Sequence, residues 1–228
     1  MKRFPVLLFV FLFFIFYAQE AFPVSIDIAG GINKPVKNFK QIKHKNVVSQ
    51  TLDFSCGPAS LATLLSYYFQ DKVTEEQIIK ALIITTDLEK IKKRKGFSLL
   101  DLKNFAKLKG YEVNGYKMDL DYLVGLNQPV LIPLKIRDYN HFVIFRGIQG
   151  DRVFIADPAL GNMTMKIDKF LRLWQGNIGL VLSKSNKKNL KTPLKLNENE
   201  RAVFADPAVV REIFEVDPIG KVFGEGEF

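Results

Sequence analysis

Helices first and an antiparallel sheet after them: the sequence predicts an α+β domain. Three observations lead there. Apolar residues recur at helical spacing between Cys56 and Gly110, and the period falls to two beyond Gly110. The runs HFVIFRGI (141–148) and RVFIAD (152–157) then meet around Gln149-Gly150, which reads as a hairpin. Of the 228 residues 47% are hydrophobic, enough for a packed core, so a disordered chain is excluded. A single cysteine excludes a disulfide framework and Cys-rich zinc modules, and two histidines leave little for a His-based metal site. No metal and no cofactor are expected.

The elements follow in order. Lys2 and Arg3 precede Phe4–Tyr17, an uncharged apolar run shorter than the ~20 residues a spanning helix needs. That pattern makes 1–21 a signal peptide or a retained N-terminal anchor and implies export to the periplasm, free or held at the outer face of the inner membrane. Residues 22–46 form an irregular lead-in with at most one short strand. The segment Cys56–Phe69 is the clearest helix: Leu61, Leu64, Leu65 and Tyr68 share a face, Ser55 stands at the N-cap and Pro58 lies in the first turn. A capping box, Thr74 to Gln77, opens a second helix reaching Ile84. Thr85–Lys95 reads as a charged loop. Ser98 and Asp101 open a third helix, closed by Gly110.

Strands are expected at 111–118, 130–136, 141–148, 152–157 and 178–182, with helical turns at 120–126 and 168–174. The domain is therefore drawn at 47–182. Residues 183–228, rich in Lys and Asn and then Gly, are read as a linker and an accessory tail. Net charge is +9, but the lysine clusters 90–95 and 184–191 carry no interleaved aromatics, so they read as solvated faces and no nucleic-acid partner is expected.

The chemistry centres on Cys56. A helix N-terminus favours a thiolate and makes the sulfur a better nucleophile. Gly57 leaves room beside it for a substrate backbone, and the Gln50 side-chain amide with the Cys56 N–H supplies two donors for an oxyanion. A thiol nucleophile also needs a base and an orienting group. A hairpin centred on Gln149 sets His141 opposite Asp157, so an imidazole and a carboxylate meet across neighbouring strands. His44, in the basic lead-in, receives no role.

Four stretches carry a resemblance: Gln50-Thr-Leu-Asp-Phe-Ser-Cys56-Gly-Pro-Ala-Ser-Leu-Ala-Thr-Leu-Leu, Lys95-Gly-Phe-Ser-Leu-Leu100, Asn140-His141-Phe-Val-Ile, and Ala156-Asp157-Pro158 with Gly161. In that order, over roughly Val47–Leu182, the chain resembles the peptidase C39 family of papain-like cysteine peptidases. The resemblance implies a papain-like fold and cleavage after a double-glycine leader. It also implies Cys56 as nucleophile, His141 as base, Asp157 as its orienter and Gln50 in the oxyanion hole. Ser55 departs from the aspartate usual before the cysteine. No Walker-type loop is present, so the chain looks like a stand-alone, exported form without the family's transporter. Such forms imply a secreted polypeptide partner, a leader-bearing or fibre-forming subunit. Two other readings use the same residues: a catalytically silent peptide-binding or chaperone module, and an acyl transferase in which an amine replaces water.

Overall fold

The computed structural model describes residues 38–137, 139–184, 192–196 and 200. The apolar run at 4–17 and the end of the chain lie outside them. The chain divides into units Met1–Phe39 and Lys40–Phe228, and the second holds every strand named below.

Helix α1 (Phe39–Lys43) stands in the lead-in where at most a strand was expected. Helix α2 (Cys56–Tyr67) is followed by α3 (Glu75–Thr85), α4 (Leu88–Arg94) and α5 (Leu99–Leu108). Both expected capping boxes form. Thr74 Oγ1 accepts from the Gln77 amide at 3.2 Å while Gln77 Oε1 accepts from the Thr74 amide at 3.0 Å. Ser98 and Asp101 exchange the same pair of bonds at 3.2 and 2.7 Å.

Helix α4 corrects the reading of 85–95 as a loop. Asp87 caps it by accepting from the Glu89 amide at 2.9 Å, and Lys92, Lys93 and Arg94 fall in its last turn, where positive charge suits the helix dipole. Its one buried residue is Ile91. A single apolar anchor leaves no periodicity to read.

Beyond α5 come β1 (Glu112–Lys117), α6 (Leu120–Gly125), β2 (Val130–Ile136), β3 (Tyr139–Gln149), β4 (Arg152–Asp157), β5 (Gly161–Lys166), α7 (Ile167–Leu173) and β6 (Ile178–Ser183). The six strands form one sheet in the order β1-β6-β2-β3-β4-β5, with every pairing antiparallel. Strand β5 was not anticipated. It lies at the sheet edge and reads GNMTMK, with too few apolar residues to announce a strand.

Both faces of the sheet are covered. On one, Leu61, Leu64, Leu65, Ile78, Leu82 and Leu102 from the helices meet Leu131, Phe142, Ile144 and Leu180. On the other, Leu123 of α6 and Phe170 of α7 close over Ile132, Val143, Phe145, Val153 and Ile155. The first core extends past Leu182: Leu194 is 1% exposed and belongs to it.

The hairpin differs in register from its expected form. Near the turn Gln149 pairs with Arg152 and Gly147 with Phe154, but after a bulge at Arg146 the ladder resumes with Phe145 opposite Ile155 and Ile144 opposite Ala156. Continued, this ladder sets Asp157 opposite Val143, so His141 is its diagonal neighbour rather than its direct partner. The expected arithmetic missed by two residues, and a shift of two preserves the face. Without the bulge the shift would be odd, and the two side chains would point to opposite sides.

Candidate active site

The segment before Cys56 is pinned almost residue by residue. The Val48 amide donates to Thr63 Oγ1 of α2 at 2.9 Å, and the Gln50 amide to the Pro158 carbonyl at 2.9 Å. Glu75, buried at the start of α3, takes the Thr51 amide and hydroxyl on its two oxygens at 2.9 and 2.8 Å. Ser55 makes no side-chain cap. Its hydroxyl donates to the Leu52 carbonyl at 2.7 Å and accepts from the Leu52 amide at 3.0 Å, closing a small ring just before the cysteine. Helix α2 is then tied to β3 by Ser60, whose hydroxyl donates to the Phe142 carbonyl at 2.8 Å.

This fixes the sulfur next to β3. Cys56, His141 and Asp157 are 2%, 6% and 3% exposed. His141 Nε2 lies 2.9 Å from Asp157 Oδ2, which leaves Nδ1 for the thiol. The other carboxylate oxygen, Oδ1, accepts from the Ala159 and Leu160 amides at 2.7 and 3.0 Å. The Asp157-Pro158 turn therefore orients the carboxylate before the carboxylate orients the imidazole. The structure thus joins three of the four residues read from the sequence. Gln50 reaches the Asp157 turn through its backbone, while its side-chain amide donates to the Leu52 carbonyl at 3.1 Å and its Oε1 is buried without a protein partner.

Burial by itself would raise the Cys56 thiol and lower the His141 imidazole. Neighbouring groups override both effects. The imidazole's hydrogen bond and charge, helped by Tyr139 and the Phe142 backbone, hold the thiol below its ordinary value. Against the pull of burial, the Asp157 carboxylate and the sulfur lift His141 to about 10. Where the two groups share one proton, both shifts favour placing it on the imidazole and leaving the sulfur as thiolate.

Gly57 has a different use from the one expected. A Cβ there would stand 3.1 Å from Leu102 Cδ1 and 3.2 Å from Phe142 Cδ2. The missing side chain makes room for the core, where α2 closes on α5 and β3.

Sequence reasoning missed Tyr139, whose hydroxyl lies 3.1 Å from Cys56 Sγ and 3.1 Å from the Asp53 carbonyl. Its only signal was its place two residues before His141, the same side of the strand. Sequence reasoning also missed an apolar groove of about 640 Å³ that Tyr139 walls together with Phe54, Ile83, Leu88, Ile91 and Phe97, with Lys92 and Lys95 among its lining residues. The groove needs helix α4, so its absence from the reading follows from the loop assigned there. Among the described residues no group of acidic, His and Cys side chains could hold a metal, and no helix is long and apolar enough to cross a membrane.

The profile of the peptidase C39 family matches residues 44–187. The chain belongs to that family. As a C39 protein it is a cysteine peptidase, and its helices and antiparallel sheet form the papain-like fold of such domains. A protein of Pseudomonas fluorescens named "Probable functional amyloid protease FapD" is 38% identical over 151 residues, covering 66% of each chain. Its namesake in Pseudomonas aeruginosa is 32% identical over 165 residues, covering 72% of each. The chain thus spans about two thirds of the first of these relatives and somewhat more of the second. Among solved structures, the peptidase domain of Streptococcus ComA, a bi-functional ABC transporter, superposes with a TM-score of 0.53 at 23% identity. That match covers 62% of this chain and all of that domain, and shows likeness of fold.

Proposed function

We propose that this C39 peptidase is an exported endopeptidase that cuts a secreted polypeptide at a Gly-Gly type site, and that its partner is a leader-bearing or fibre-forming subunit. The observation that carries the reading is the line from Asp157 through His141 to Cys56, with the carboxylate and imidazole at 2.9 Å. The names of the two Pseudomonas relatives support a fibre-forming substrate. Lys2, Arg3 and the apolar run behind them support export or anchoring through residues 1–21. The apolar groove beside the thiol supports a polypeptide that docks through apolar side chains at a distance from the bond cut.

In this mechanism the Cys56 thiolate attacks the scissile carbonyl carbon. The Cys56 N–H and the Gln50 amide, turned away from Leu52, receive the oxyanion. His141 passes its proton from Nδ1 to the leaving amine, which departs and leaves a thioester. Water then enters, gives its proton to His141 and releases the acid product. Asp157 holds the ring throughout.

The test is to incubate a small secreted polypeptide bearing a Gly-Gly leader with the wild-type protein and with Cys56→Ala, and to read the products by mass spectrometry. Cleavage after the double glycine by wild type alone is expected. An intact polypeptide bound equally by both proteins would show a silent binding module, and a product joined to an added amine would show an acyl transferase.

A further inference from the structure

The Tyr139 hydroxyl has one proton and two acceptors in reach. Cys56 Sγ and the Asp53 carbonyl each lie 3.1 Å from it. While the sulfur carries its proton, the thiol donates to Tyr139 Oη and the tyrosine donates to Asp53. Once that proton has moved to His141 Nδ1, the sulfur becomes the stronger acceptor and draws the O–H to itself. We propose that Tyr139 is a positioning residue for the nucleophile, whose hydroxyl swings from the Asp53 carbonyl onto the resting thiolate and back again when the sulfur attacks.

Atoms balance at each step. The tyrosine keeps its proton throughout, and the new C–S bond consumes the charge that had attracted it. The ring is set for this swing by its place at the start of β3, immediately after the β2–β3 turn, and by its packing as a wall of the apolar groove. Burial, and then the hydrogen bond and charge of the Cys56 sulfur, push the tyrosine's own ionisation upward, so it remains a donor when the sulfur is an anion. A thiolate held this way forms at lower pH and is less nucleophilic per ion, because a bonded lone pair must be released first.

The inference rests on Cys56 being the nucleophile, as proposed above, but its test needs no substrate. The chain has one cysteine, so iodoacetamide uptake reports Cys56 alone. Alkylation rates across a pH series are compared for wild type and Tyr139→Phe, which keeps the ring and removes the hydroxyl. The variant's midpoint should rise by about one unit, and its rate on the high-pH plateau should rise about threefold, so that the two profiles cross. A role confined to packing would move neither quantity. Coincident profiles with a low wild-type midpoint overturn the role of Tyr139 and leave the nucleophile standing. A wild-type midpoint at or above the ordinary thiol value overturns both. Crossed profiles in a protein that cleaves no leader would support Tyr139 while sinking the substrate proposed for the site.

Discussion

At the scale of single residues, the site behaves as one titrating unit. His141 is raised from an ordinary 6.5 to about 10, so its stabilisation is complete below 6.5 and fades as pH climbs toward 10. Cys56 is lowered from 9.0, so its stabilisation is complete above 9.0 and fades as pH falls through the folded value. Below 9.0, wherever the folded thiol is ionised and the unfolded imidazole is not, the unfolded chain holds its one proton on sulfur and the folded chain on imidazole. The counts match and the pair adds no slope. Above 9.0 the unfolded thiol ionises while the imidazolium persists, so stability should fall. Urea unfolding across a pH series should show wild-type stability falling above 9.0. A curve that stays level above 9.0 would mean that the imidazole is not lifted in the folded protein.

Among the elements, α2 carries the tightest constraint. Gly57→Ala must push Leu102 or Phe142 by a few tenths of an ångström, and Phe142 adjoins His141. Overpacking of this kind costs about 1–2 kcal/mol. The variant should lose that much in urea and, because α2 can yield only by moving its first turn, should also lose alkylation rate at neutral pH. Unchanged stability would show that the helix has slack there. Residue patterns foretold these elements unevenly. Strands β2 and β4 stand where their short apolar runs placed them, because their side chains are buried on both faces. Helix α4 and the edge strand β5 escaped because each has one or two buried anchors and charge or polarity elsewhere. The same logic divides the site. Cys56, His141 and Asp157 announced themselves by chemistry and spacing. Tyr139 did not, since a tyrosine at the head of a strand is ordinary until its neighbour is known to be sulfur.

For the molecule as a whole, the chain beyond Ser183 is fastened to the sheet by Arg146. Its guanidinium is buried. It donates to the Leu194 carbonyl at 2.9 Å, to Asn162 Oδ1 at 3.0 Å and to both Glu200 oxygens at 2.8 and 3.0 Å. Gly147 beside it, at φ +147, allows Leu196 so close that a Cβ would stand 2.8 Å from its Cδ1. A protein ending at Leu182 would strip the guanidinium of its Leu194 and Glu200 partners and open the space of Leu194. It should lose about 3 kcal/mol or more in urea, while Glu200→Gln should lose less. Equal midpoints for the full and shortened chains would make the tail accessory. Arg146 also occupies the bulge, and that has a consequence for how this chain can change in length. Residues added at the Gly150-Asp151 turn lie beyond the bulge and leave the pairing of the site untouched. Removal of the bulge residue would close the ladder with Gly147 and Phe145 still opposite Phe154 and Ile155, so His141 would keep its face. The parity that matters is therefore that of the short stretch from the bulge to His141, and not that of the sixteen-residue interval from His141 to Asp157. Between the bulge and the imidazole, only paired insertions or deletions can pass without silencing the enzyme.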